Sequence, residues 1–394
     1  MSKIKIKNFG PIGDGLDIND GFIDMKKVTI FIGNQATGKS TIVKIYSVFL
    51  WLEKMLYRDT LTQNLVKTNF VHDYCAYQGL ELFFNDETYL HYKGQAFSFI
   101  YENQQLEIID SKENNYLSPQ VVYTPAERNF LSSISNSANL KNLPKILSAF
   151  LSEFEKSKEN ISTIKLPLDN LTFEYEKETK KSFVSGNNYK IPLSASASGI
   201  QSLLPIYLIS KFFSEEKKEN NTIKQISLEE QNKLKENLKK ILSNHELSDE
   251  IRETAIKTLS ATYQNNHFIN IVEELEQNLF PISQKDLLYS LLEFININKD
   301  NKLILTTHSP YILTALNNVL LANDIKKEKG NNAIQEIINT KLCIDFDNIS
   351  AYAIEDGNIK TIVDYEERLI GINIIDSVSD EFNNTFDALL SLQD

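Results

Sequence analysis

Cysteine is nearly missing from this 394-residue chain: only Cys75 and Cys343 occur, too few and too scattered for a disulfide framework or a thiolate metal site. A reducing compartment fits that scarcity. No run of apolar residues reaches the length of a membrane span, and the opening MSKIKIKNFG lacks the apolar stretch of a signal peptide. The chain is therefore expected to be cytoplasmic, with no membrane among its partners. Basic excess is lacking as well. Against 53 Asp and Glu stand 41 Lys and Arg, a formal net charge of -12, which argues against a surface coated for nucleic acid because phosphate contacts need clustered cations. A local basic groove stays open. Lys3, Lys5 and Lys7 alternate with Ile4 and Ile6 on one face of a strand, and that row reads as a solvated strand face. Internal repeats and low-complexity tracts are lacking too. What remains is ordinary: 24% charged and 42% hydrophobic residues describe a globular protein, and the length allows two to three domains.

The stretch FIGNQATGKSTIV, Phe31 to Val43, is not ordinary. Gly33, Gly38, Lys39 and Ser40 match G-x-x-x-x-G-K-S/T, the loop whose backbone N–H groups wrap a nucleotide's phosphates. Val28 to Ile32 (VTIFI) is a continuous apolar run, which predicts a strand buried on both faces of a parallel sheet. Thr41 to Tyr57 is rich in large apolar residues without Gly or Pro, so a helix is predicted to start at the loop and aim its N-terminus at the phosphates. In that setting Lys39 contacts the β- and γ-phosphates of ATP and Ser40 is a ligand for Mg²⁺. Gly33, Asn34, Ala36, Thr37, Gly38, Lys39, Ser40 and Thr41 are the expected nucleotide contacts of the loop.

Along the rest of the chain, Lys3 to Ile23 suggests short antiparallel strands, and Gly79 to Ile109 a small meander. Gln120 to Thr124 is another strand, Asn139 to Lys158 turns helical, Leu171 to Tyr189 returns to strands, and Ser194 to Lys211 is a Ser-rich turn opening a helix. Phe213 to Thr262 is dominated by Lys, Glu and Asn, with Leu228, Leu234, Leu238 and Ile241 at helical spacing. Ser227 with Glu230 makes a capping box, Ser248 caps a second helix, and the block reads as a protruding helical pair.

Hydrolysis needs a magnesium partner, a base for water and a sensor of the γ-phosphate. His267 to Val272 (HFINIV) is a buried-strand candidate ending in Glu273 and Glu274. If that strand neighbours the phosphate-loop strand, Glu273 falls near the Mg²⁺ shell and Glu274 near the attacking water. Lys302 to Thr307 (KLILTT) is a third such strand, ending in His308. The 34 residues from Glu274 to His308 leave room for a helix and a return strand, so the two strand ends can lie side by side. A histidine at the carboxyl end of a buried strand sits where ligands bind in open α/β sheets.

Taken in order, these motifs resemble the ABC-type ATPases, in particular the non-transporter branch with RecF, the SMC proteins and the overcoming-lysogenization-defect nucleases. SASASGIQSLLP, Ser194 to Pro205, resembles the family's signature, with Ser198, Gly199 and Gln201 matching and Ile200 in place of the second glycine. EELEQNLFP, Glu273 to Pro281, resembles E-E-P-E-x-x-L-H-P, with Leu275 and Phe280 as departures. TTHSP fits the switch histidine, and IKNFGPI the N-terminal strand. Leu275 in place of proline reads as a change in loop stiffness. VVYTPAERNF stands where the Gln loop belongs, yet Ala126 occupies the glutamine position, which leaves Glu127 or Arg128 to act as sensor, or the coupling to Mg²⁺ to differ. The resemblance implies an α/β P-loop NTPase of ABC head type: a mainly parallel core sheet, an N-terminal antiparallel β lobe and a helical insertion. Its parts would be residues 1–212 (β lobe, phosphate loop, signature), 213–262 (insertion) and 263–394 (Walker B, D-loop, switch histidine, C-terminal hairpin and helix). It further implies that Ser198, Gly199 and Gln201 of a second copy cover the open side of the γ-phosphate, so that two ATP molecules are sandwiched between two heads in a homodimer or higher oligomer.

The output of such an ATPase is open on sequence grounds. Asp345, Asp347, Glu355 and Asp356 suggest an acidic metal site, but NISAYAIEDGNIK reads as a hairpin with an Asp-Gly turn and solvated carboxylates. No nuclease is expected in this chain. Three readings stand: an anti-phage ATPase whose effector is a separate chain encoded nearby, a RecF-like repair ATPase that clamps DNA, and a transporter ATPase. No long heptad run separates the phosphate loop from the signature, which sets the SMC proteins and their long-coiled-coil relatives aside.

Overall fold

The structure, a computed structural model, describes residues 2–111, 116–134, 142–168, 170–215, 228–244, 248–371 and 373–391. The chain opens with β1 (Lys3–Lys7), β2 (Gly15–Leu16), β3 (Ile23–Asp24) and β4 (Val28–Ile32), then α1 (Lys39–Tyr57) and α2 (Gln63–Asn69). After a π-helical turn over Phe70–Cys75 come β5 (Tyr89–Lys93), β6 (Phe97–Glu102), β7 (Gln105–Asp110), β8 (Pro119–Thr124), α3 (Arg128–Ser133) and α4 (Lys145–Asn160). Four short strands follow, β9 (Thr163–Lys165), β10 (Thr172–Glu176), β11 (Lys181–Ser185) and β12 (Lys190–Pro192), and then α5 (Ser198–Glu215), α6 (Leu228–Ser243) and α7 (Asp249–Thr262). The last third holds β13 (His267–Val272), α8 (Pro281–Asn296), β14 (Lys302–Thr307), α9 (Pro310–Lys329), β15 (Ile349–Glu355), β16 (Asn358–Thr361), β17 (Val363–Asp364), β18 (Leu369–Ile370) and α10 (Asn373–Leu390).

A seven-stranded sheet in the order β2-β16-β15-β4-β14-β13-β8 forms the centre, parallel except for the β15/β16 hairpin pair. Its inner strands are apolar on both faces, and the alternation sends their residues to two separate cores. Val28, Ile30, Leu303, Leu305, Phe268 and Val272 point into one core with α5, α8 and α9 and the antiparallel sheet β12-β11-β10-β9. Phe31, Ile304, Ile269 and Ile271 point into the other, with α1, the π-helical turn and the five-stranded antiparallel sheet β3-β1-β5-β6-β7. The architecture is thus a mainly parallel α/β core flanked by antiparallel β lobes. The early meander is real, but β2 leaves the N-terminal lobe and pairs with β16 at the edge of the central sheet. The second antiparallel sheet gathers β9 and β12 beside β10 and β11, which fill the stretch Leu171 to Tyr189 expected to return to strands. No described helix is long and apolar enough to cross a membrane.

The predicted start of α4 at Asn139 and the capping residue Ser227 lie outside the described residues. The second cap is visible, with the Ser248 hydroxyl accepting from the Ile251 N–H. α6 and α7 are rooted in the core by a buried contact that periodicity did not suggest. Arg58, capping the C-terminus of α1, is fully buried and forms an ion pair with Glu230 of α6. Its remaining donors reach the carbonyls of Thr262 at 3.2 Å and Gln264 at 3.3 Å and the Asn265 side chain at 2.9 Å, while the Tyr263 hydroxyl donates to the Arg58 carbonyl at 2.9 Å. The Asp-Gly hairpin turn is present, with Asp356 at φ 47° and Gly357 at φ 76°, the positive values that a two-residue turn requires.

On the outer face of the N-terminal lobe the lysine row of β1 meets β5, with Lys3 opposite Lys93 and Lys5 opposite His91. The Lys3 and Lys93 ammonium groups sit 4.7 and 4.4 Å from the centre of the Phe22 ring, a cation–π arrangement that eases their mutual repulsion. Burial first, then Lys93, Lys5 and Lys3, push the His91 imidazole down from 6.5 to about 4. Between those values the unfolded chain binds a proton that the native chain refuses, so stability falls as pH drops through that window. Thermal melts of His91→Gln across that range are expected to be flatter than those of the wild type; parallel curves would remove His91 as the cause.

Candidate active site

β4 delivers its last residue, Ile32, level with Thr307 of β14, and β14 sits level with β13 through Leu305 and Val272. Three carboxyl ends of parallel strands therefore open on one edge, where ligands bind in open α/β sheets. β14 lies between the other two, so the carboxylate strand is not the immediate neighbour of the phosphate-loop strand, although the ends of β13 and β14 do lie side by side. Reach across the gap comes from α1, which starts at Lys39 directly after the loop.

The loop is shaped by positive φ angles at Gly33 (156°), Ala36 (61°) and Gly38 (106°). At Gly33 a Cβ would stand 2.4 Å from the Ile354 carbonyl oxygen of β15, so the neighbouring strand as well as the backbone demands glycine. Asn34 and Ala36 form the exposed crest, Thr37 donates to the Asn34 carbonyl at 2.9 Å, and Thr41 is buried in the first turn of α1. The N–H groups of residues 35–38 donate to no protein acceptor among the described residues. Together with the unpaired first turn of α1 they make an anion cradle. Lys39 lies across it with its ammonium on the carbonyls of Gly33 (3.0 Å) and Asn34 (2.6 Å). Burial holds its pKa below 10.5, with Glu274 and Glu276 pulling the other way.

Ser40, one residue into α1, donates its hydroxyl to Oε2 of Glu273, and the Tyr123 hydroxyl of β8 donates to Oε1. Burial beside that carboxylate raises the Tyr123 pKa well above 10, so the phenol stays a donor. Glu273 is 4% exposed and Glu274 is far more open, with its side chain 3.8 Å from Nε2 of His308. The opposite nitrogen of His308, Nδ1, lies 3.5 Å from the Lys39 ammonium. His308 thus stands between the loop lysine and Glu274. Its backbone N–H is held at 2.5 Å by Glu276, which also accepts from Thr307 at 2.7 Å.

Glu274 adopts φ 46°, a left-handed conformation that is strained for a side chain of this kind. Its N–H donates to the Thr306 hydroxyl at 3.0 Å and its carbonyl accepts from Arg128 at 2.6 Å, and these bonds over-determine the turn. Leu275, the departure from proline, is fully buried and anchors the turn in the core. Tyr123, Thr306 and Glu276 were not assigned from sequence, and Arg128, named there as a possible sensor, meets the site through the backbone carbonyls of Glu273 and Glu274. Glu276 had a signal, the third carboxylate of EELE; Tyr123 and Thr306 carry none, since they meet the site only through the sheet.

The signature candidates stand apart from this cluster. Ser198 is exposed at the start of α5 and Gly199 lies against the Asn278 carbonyl, 2.7 Å from where its Cβ would be. Gln201 turns inward, its amide donating to the carbonyls of Leu193 (3.2 Å), Ser194 (3.1 Å) and Ser196 (3.1 Å). No described hydrogen bond joins Ser198 or Gly199 to the phosphate loop of the same chain.

Among the described residues no cluster of three or more His, Cys, Asp or Glu forms a metal cage. Mg²⁺ does not need one, since it binds through one or two protein oxygens with water and phosphate supplying the rest. The hydroxyl of Ser40 and the carboxylate of Glu273, already paired, fit that ion.

No family model matches the chain, and no curated protein matches it. Among solved structures, it is similar to the SMC head domain from Thermotoga maritima at 10% identity and TM-score 0.33, over 91% of this chain and 97% of that one. An Smc head domain with an extended coiled coil, bound to the C-terminal domain of ScpA and derived from Pyrococcus furiosus, gives 10% identity and TM-score 0.36 over 97% and 100%. An SmcHead bound to the C-winged helix domain of ScpA gives 12% and 0.33 over 91% and 96%.

Proposed function

We propose that the chain is an ABC-type ATPase that binds ATP with Mg²⁺ and hydrolyses it to ADP and phosphate. The observation that carries this reading is the convergence of three strand ends on one cradle: Lys39 and Ser40, Glu273 and Glu274, and His308. The unpartnered N–H groups and Lys39 take the phosphates, Ser40 and Glu273 hold Mg²⁺, Glu274 orients water, and His308 senses the γ-phosphate. Bound Mg²⁺ would neutralise charge on the phosphates as it develops. Lys39 exchanges two loop carbonyls for phosphate oxygens when ATP enters, at little cost because both contacts are charge-assisted.

The exposed γ-phosphate flank calls for a second copy, whose α5 N-terminus with Ser198 and Gly199 would close it. We assign the assembly to anti-phage defence, of the kind represented by the ATPase half of the PARIS system. The chain serves there as sensor or scaffold, with its effector, a nuclease, on a separate chain. A RecF-like DNA-clamping ATPase is the alternative. The test is phosphate release by the purified chain, together with light-scattering mass with and without a non-hydrolysable ATP analogue. Saturable release and a doubled mass are expected. Absence of release overturns the ATPase, and an unchanged mass overturns the sandwich. Stable co-purification with the product of a neighbouring gene, indifferent to DNA, supports defence; salt-sensitive duplex binding that raises the ATPase rate supports repair.

A further inference from the structure

Arg128 stands two residues after Ala126, in the segment where a glutamine loop would be expected, and it is completely buried. Its guanidinium makes no direct ion pair among the described residues. Instead Nε donates to the Ser202 carbonyl at 3.2 Å, Nη1 to Pro125 at 3.3 Å and Glu273 at 2.7 Å, and Nη2 to Glu274 at 2.6 Å. A buried cation on four carbonyls is an expensive way to fill space. It fits a joint between three pieces of backbone, because only a rigid planar fork can serve donors in several directions at once. We propose that Arg128 is the positioning residue of this site, bolting the turn of Glu273 and Glu274 to the N-terminal part of α5 so that the two move as one body.

Two further contacts run along the same seam. Asn278, at φ 59°, donates its amide to the Ser202 hydroxyl at 3.1 Å, and Gly199 packs so closely on the Asn278 carbonyl that no side chain fits. The strained φ of Glu274 is therefore held from the α5 side by Arg128 and from the β14 side by Thr306. Burial lowers the Arg128 pKa to about 10, and the carboxylates of Glu276, Glu274, Glu273 and Glu127 oppose that shift, which keeps the fork charged at neutral pH. The inference rests on the ATPase reading for its consequence: if α5 closes a neighbouring copy's nucleotide, the state of one catalytic turn reaches the other site through this bolt. The bolt itself is a property of the free chain.

Arg128→Lys keeps a charge but offers one flexible ammonium in place of the fork. Amide hydrogen exchange of the folded variant without nucleotide is expected to speed up in residues 273–279 and 198–202 together, while residues 28–43 exchange at the wild-type rate. Nucleotide affinity should stay within about threefold and kcat should fall about 10- to 100-fold, as misplacement of a reacting group by an ångström does. Unchanged exchange, loosening of only one of the two segments, or a loss confined to KM overturns the proposal. A wild-type chain that releases no phosphate ends the ATPase reading and leaves the exchange result to decide this one. Should the variant not fold, the wild type decides: a bound non-hydrolysable analogue must change the protection of both segments, and a response in one alone overturns the bolt.

Discussion

Lys39→Ala is expected to abolish nucleotide binding. The ammonium is the cation lying inside the anion cradle, 5% exposed and within 3.0 Å of two loop carbonyls, 3.5 Å from His308. Removing it leaves phosphate oxygens facing Glu273, Glu274 and Glu276 with the backbone N–H groups alone to hold them. Losing one partner of a buried charge pair costs about 2–5 kcal/mol, on the order of 30- to 4,000-fold in affinity. Titration with a fluorescent ATP analogue reads the loss directly. The fold should survive, because among the described residues Lys39 has no ion pair to lose and burial already disfavours its charge; a melting curve checks this. Wild-type affinity in the variant would mean that the loop does not bind phosphate.

Glu274→Gln should separate binding from hydrolysis. The bonds that fix this residue, to Thr306 and Arg128, use its backbone, so the substitution leaves the turn in place and changes only the carboxylate. Loss of a general base lowers kcat by about 10²- to 10⁴-fold. ATP is then expected to stay bound and the assembly to persist, seen as a doubled mass that decays far more slowly than that of the wild type. Hydrolysis at the wild-type rate would remove Glu274 from the water-orienting role.

The legible part of this protein was the part written in short contiguous stretches. VTIFI followed by the Gly-rich loop announces a buried strand and a turn into a helix, and the apolar strands ending in Glu273 and His308 place their ends correctly because register in a parallel sheet follows the apolar runs. The order of those strands was not legible: β14 separates β13 from β4, a matter of three-dimensional crossover that no local pattern records. Tyr123 and Thr306 were invisible for a related reason, since each reaches the site across strands, and Arg128 was legible as a sensor candidate beside Ala126 but not as a donor to backbone carbonyls, which carry no side-chain signature. Gln201 shows the reverse. Its place in a recognisable motif suggested a ligand contact, whereas its amide is occupied by three carbonyls of its own turn.

The buried junction of Arg58 with Glu230, Thr262, Gln264 and Asn265 places the root of the α6–α7 hairpin at one end of α1, and the phosphate cradle at the other. At 1.5 Å per residue the 19 residues of α1 form a rod about 28 Å long. A displacement of the hairpin root is thereby passed along a stiff helix to the loop proposed to hold the nucleotide.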